Sequence, residues 1–181
     1  SLTTEQQRIE ELTALNALSS DIIHSSPGID STAELIGRHV PRLVPGADLE
    51  FCLFDDEQPD RRVVVADLRE GQARPVHQGP MTPMWLWLRA EHLSLHLPDV
   101  TAASLPFSWT DHETSELPGS LLLVPLLAAG PERSAAGRCI GGLLLSHPRP
   151  CALGPELLPS TTALANQLAA ALENARLQRE A

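Results

Sequence analysis

Lysine and tyrosine are both absent from this 181-residue chain, so all 13 of its basic residues are arginine. That pattern reads as a coding bias rather than the mark of a site. Other absences exclude whole classes of protein. The longest apolar runs, such as LLLVPLLAA at 121–129, fall well short of the roughly 20 residues that span a bilayer. The amino end lacks the basic-then-apolar plan of a signal peptide, and a cytoplasmic location is expected. Positive charge is scarce: 23 acidic residues against 13 basic give a net charge of −10, which disfavours attraction to nucleic acid or anionic lipid. No phosphate-binding glycine loop, no G-x-S-x-G elbow, no Ser-His-Asp grouping and no C-x-x-C pair is present.

What is present suits one well-packed domain. The chain is 43% hydrophobic and 20% charged, ordinary values for a globular core. It begins at Ser1 and ends at Ala181 inside an expected helix, so a domain of a longer polypeptide is expected. Ile9, Leu12, Leu15, Leu18 and Ile22 recur at helical spacing within 3–24 after a Thr4/Gln7 capping box. Ser31 and Glu34 open a second helix that ends at Pro45-Gly46. Short apolar runs follow at 47–54, 62–68, 93–97, 120–127 and 138–146, several apolar at nearly every position, as in strands covered on both faces. Residues 80–92 read as a helix, and a last helix starts at Pro155 or Ser160 with Thr161, Leu164, Ala165, Leu168, Ala171, Leu172 and Ala175 along one stripe. The economical architecture is α+β, a central antiparallel sheet flanked by helices on both faces. The expected divisions are an amino-terminal helix over 1–26, a sheet and pocket region over 27–153, and a final helix over 154–181.

Several of these segments carry a family resemblance. WLRAEHLSLHLPDV at 87–100 resembles the helix, turn and strand ending in Pro-Asp-Val of GAF domains, and SLLLVPLL at 120–127 resembles that family's strand with an internal Val-Pro. GRCIGGLLLSHPRP at 137–150 and LANQLAAALENARL at 164–177 are similar to its last strand and last helix. Two departures stand out: Glu91-His92 where the family usually has a turn glycine, and Ala152-Leu153 where it has an aromatic. The resemblance implies a small-molecule-sensing and dimerisation module of a bacterial-type signalling protein, not an enzyme. Its attached output domain would be a kinase, cyclase or phosphatase.

The stretch CIGGLLLSHPRPC at 139–151 gathers two of the three cysteines and a histidine, but its C-x7-H-x3-C spacing lacks the close pairs of structural zinc. A buried strand with a proline-bounded exit turn is the better reading. The resemblance raises three ligand chemistries. A methionine sulfoxide reductase would need an accessible thiolate with a resolving partner, and no cysteine occupies the loop between the third and fourth strands. Residues 101–119 lack the cysteine that a bilin requires. His112 stands at a distance from the Val-Pro strand resembling a haem ligand of some family members, though the residues between differ. The family's cyclic-nucleotide signature needs a lysine that this chain does not have. The sequence points to no particular cofactor.

The pocket implied by the resemblance lies between one sheet face and segment 80–118. The expected ligand-binding residues are Phe51, Leu53, Trp85, Trp87, His96, Asp99, Trp109 and His112. In LSLHL, His96 shares a face with Ser94, while Leu93, Leu95 and Leu97 share the other, which makes His96 the polar residue expected to look into the pocket. Trp85 and Trp87, two apart on a helix, point in different directions, so one lines the pocket. A parallel homodimer through the terminal helices is also expected. The competing reading is a ligandless dimerisation module.

Overall fold

The structure is a computed structural model and describes residues 6, 44–109, 116–128 and 137–180. The two helices expected over 3–24 and 31–45 fall almost entirely outside these residues, as does His112. Within them the order is β1 (Asp48–Phe54), β2 (Arg61–Arg69), β3 (Gln72–Arg74), β4 (His77–Pro80), α1 (Pro83–Glu91), β5 (Leu95–Leu97), a short 3-10 turn (Val100–Ala102), β6 (Ser120–Ala128), β7 (Arg138–His147) and α2 (Leu157–Glu180). The strands form one antiparallel sheet in the order β3-β2-β1-β7-β6-β5, with β4 paired to the same edge of β2 as β3.

Each sheet face is covered by one described helix. Leu164, Ala165, Leu168 and Ala169 recur at helical spacing along α2 and are fully buried against Phe51, Leu122, Val124, Leu143 and Leu145. Each buried leucine there contributes about 1.5–3 kcal/mol relative to exposure. Pro159 sits in the first turn of α2, where backbone N–H groups have no intrahelical partner to lose. On the other face Met84, Trp85 and Leu88 of α1 pack on Cys52, Leu121, Leu123 and Leu144. That contact is close because β7 has no side chain at Gly142, where a Cβ would overlap Leu88 and Trp85. Pro83 starts α1 at a position that suits proline, and His92 ends it in the left-handed region (φ 58°) with its N–H donating to the Leu88 carbonyl. His92 thus occupies the conformation for which the family uses glycine. Among the described residues no helix is long and apolar enough to cross a membrane.

Two short edge strands, β3 and β4, were not expected; their residues are polar and mostly exposed, with no alternation to reveal them. The expected strand at 93–97 is confined to Leu95–Leu97, because the αL turn at His92 and the exposed Leu93 and Ser94 precede it.

Candidate functional site

A β-bulge builds the most unusual part of the molecule. Cys52 pairs with Val64 and Phe51 with Ala66, which leaves Val65 as an extra residue in β2. Strict alternation would place Arg62 and Asp67, five residues apart, on opposite faces. The extra residue reverses the parity beyond it. Arg62 and Asp67 therefore both face the α1 side, and Asp67 stands directly across from Glu50 of β1.

Glu50, Arg62 and Asp67 are only 4%, 2% and 3% exposed. Arg62 Nη2 donates to Glu50 Oε1 at 2.9 Å, Arg62 Nη1 donates to the Pro80 carbonyl, and the guanidinium lies 5.9 Å from the Trp85 ring. Gly79, opposite Arg62, leaves room for that group: a Cβ there would press on the guanidinium. Arg69 Nε donates to Asp67 Oδ1 at 3.1 Å. Three buried atoms of the cluster nevertheless have no hydrogen-bond partner among the described residues: Glu50 Oε2, Arg62 Nε and Asp67 Oδ2. Among the described residues Asp67 Oδ2 makes longer charge contacts, to Arg74 Nη1 at 3.9 Å and His77 Nε2 at 3.8 Å. Burial pushes the Glu50 carboxyl above its ordinary range; the charge and hydrogen bond of Arg62 oppose this, and the nearby Asp67 charge adds to it.

Above Glu50 and Asp67 a cavity of about 280 Å³ opens between the ends of β1, β2 and β7 and the connection to β6. Trp109, Glu116 and Leu117 form its outer wall, and Leu144, Ser146 and His147 its side along β7. His147 is buried, and its Nδ1 accepts from the Arg149 N–H at 3.0 Å, so its proton sits on Nε2, 3.3 Å from the Pro45 carbonyl.

Of the eight expected residues, Trp109 lines this cavity. Phe51 and Leu53 belong to the core beneath α2, on the opposite face of the sheet from the one expected to hold the pocket. His96 is also corrected: it pairs with Leu122 on the α2 face, and its Nε2 donates to the Leu153 carbonyl at 2.8 Å, while Leu95 and Leu97 face α1. Alternation separated these residues correctly, but the polar one was needed to satisfy a buried carbonyl at the approach to α2. Trp85 is fully buried under α1 with its ring edge-on to Phe54, and Trp87 is half-buried against Phe107. Asp99 caps the 3-10 turn, accepting from the Thr101 N–H and hydroxyl. His112 lies outside the described residues. Sequence reading missed Glu50, Arg62 and Asp67, although a charge inside an otherwise apolar strand was the available signal.

All three cysteines are free thiols. Burial raises the Cys52 thiol well above its ordinary range and Cys139 to about 11, while Cys151 is exposed in the turn before α2. Among the described residues no group of three or more His, Cys, Asp or Glu side chains is placed to hold a metal ion.

No protein-family profile matches the chain. No curated protein matches its sequence. Solved structures do match its fold. A fragment of a methyl-accepting chemotaxis protein is 14% identical, with a TM-score of 0.68 over 91% of this chain and 99% of that one. The GAF domain of a phosphoenolpyruvate-protein phosphotransferase from Coxiella burnetii is 16% identical, with a TM-score of 0.67 over 96% and 99%. A free methionine-R-sulfoxide reductase from Neisseria meningitidis, solved with its substrate, is 19% identical, with a TM-score of 0.59 over 91% and 89%. The chain has the α+β fold of GAF domains.

Proposed function

We propose that this GAF-fold chain is a sensory or regulatory domain that takes a small molecule into the cavity on the α1 face and transmits the event through the sheet to α2. One observation carries the reading: Glu50 and Asp67 are buried beneath a cavity with acceptor atoms left unpartnered. A purely structural module would gain stability from apolar residues there, since unpaired buried polar groups cost about 1–3 kcal/mol each. The β7 strand offers a mechanical route, because alternate residues face the cavity and the α2 core. Ligand binding would then shift the population of terminal-helix packings and so bias an attached output domain. Dimerisation through the terminal helices belongs to the same proposal; Pro159, Ala163, Asn166 and Ala170 are exposed on the part of α2 whose side chains are described.

A binding role fits the thiols better than a redox-enzyme role. Two of the three are buried with their pKa raised, which disfavours the thiolate, and none of the three lines the cavity. Native thiol titration should show one fast-reacting group, Cys151, and three after denaturation; two fast groups would favour the reductase reading.

The binding reading is tested by thermal shift with a panel of small amines, carboxylates and nucleotides, on the wild type and on Ser146→Phe, which fills the cavity. Saturable stabilisation of the wild type alone is expected. Stabilisation that persists in Ser146→Phe, or none with any compound, would contradict it.

A further inference from the structure

The chemistry of the cavity narrows what it can hold. Its lining carries five carboxylates, Asp48, Glu50, Asp67, Glu70 and Glu116, against one arginine, Arg69. Even with Arg62 beneath the floor, negative charge is in excess. An anionic occupant would meet repulsion, above all from Glu50 and Asp67, the two of the five that are buried and so poorly screened. A metal ion is disfavoured on different grounds, because among the described residues no three suitable donors converge.

The arginines have also taken particular atoms. Arg62 holds Glu50 Oε1, and Arg69 holds Asp67 Oδ1. Among the described residues Glu50 Oε2 and Asp67 Oδ2 remain as acceptors without a hydrogen-bond donor on side chains that are 5% and 2% exposed, Asp67 Oδ2 having the longer charge contacts to Arg74 and His77. Glu50 and Asp67 are cross-strand partners on β1 and β2, and both line the cavity. A group that brings several N–H donors and one positive charge would satisfy both at once. Beside them the lining has an apolar part: Leu144, which pairs with Glu50, and Trp109 and Leu117 of the outer wall, with Leu117 still 51% exposed. The volume of about 280 Å³ suits a compact molecule.

We infer that the cavity selects a small organic cation, a protonated primary amine whose ammonium group docks between Glu50 and Asp67 while a short apolar body lies against Trp109, Leu117 and Leu144. This inference rests on the binding function proposed above and adds the ligand's chemical class. The bulge at Val65 is what gives the site its form: without it, Asp67 would face α2 and the carboxylates would not meet.

The test is calorimetric titration of the full chain with three probes of nearly the same carbon skeleton: isoamylamine, isoamyl alcohol and isovalerate. The amine should bind saturably, the alcohol at least about tenfold more weakly, and the carboxylate not at all. An alcohol equal to the amine, or preferred binding of the carboxylate, overturns the inference. Ser146→Phe should abolish amine binding. If isovalerate binds and Ser146→Phe abolishes that binding, the cavity stands as a binding site and only the ligand class is wrong; if no probe binds, or binding persists in Ser146→Phe, both readings fail. Glu50→Gln removes the charge while keeping an acceptor for Arg62, and it should weaken the amine at least about tenfold with the circular dichroism spectrum unchanged. Unaltered affinity in that variant overturns the docking position, and should the variant unfold, the three wild-type titrations decide.

Discussion

Glu50 shows how one residue can link stability to recognition. Its folded-state pKa lies above the ordinary 4.5, chiefly through burial, so the folded chain holds that proton more tightly than the unfolded chain does. The sign follows from linkage: Glu50 favours folding most when protonated, and its contribution falls as pH rises from about 4.5 through the raised folded value, then stays level. Thermal melts of wild type and Glu50→Gln across acid to neutral pH check this. The wild type should lose stability relative to the variant as pH climbs through that window, and a relative gain would contradict it. Arg62 is the counterweight. Arg62→Met should destabilise the domain by about 3–5 kcal/mol in denaturant titration, because it leaves a buried carboxylate without its cation. A loss below about 1 kcal/mol would mean that Glu50 is neutral or solvated in the folded state.

At the scale of elements, apolar patterning was enough to find β1, β2, β6, β7, α1 and α2 in the sequence. It failed wherever a local irregularity or a choice between faces decided the outcome. β3 and β4 are short and polar, so they form by edge pairing to β2 and carry no pattern of their own. The two faces of β5 were separated correctly, yet His96 turned to the Leu153 carbonyl and not to the cavity, a choice set by a residue 57 positions away. The site cluster depended on Val65, whose bulge cannot be seen in RRVVVADLR, where Arg62 and Asp67 read as opposite-facing. The glycines of CIGGLLLSHPRPC proved more informative than its cysteines. Gly142→Ala should cost about 1–3 kcal/mol by overpacking α1 against β7, measured by chemical denaturation. A neutral result would show that α1 can move away from the sheet without loss.

Across the whole molecule, the sheet separates two different environments. The α2 face is an apolar core, and the α1 face combines a smaller core with an acidic, partly unsatisfied cavity. The proposed function uses that asymmetry, with sensing on one side and output on the other, and it is why the fold was legible in the sequence while the cluster was not: a fold tolerates many residues at each buried position, whereas this cluster needs three charges brought together by one extra residue. The three tryptophans report on the account directly, since Trp109 lines the cavity, Trp85 lies buried beneath α1 and Trp87 packs on Phe107. In a two-dimensional amide NMR spectrum, titration with isoamylamine should shift the Trp109 indole N–H resonance saturably and leave that of Trp87 in place. No saturable shift at Trp109, or a shift centred on Trp87, would contradict a cation site between β1, β2 and the connection to β6.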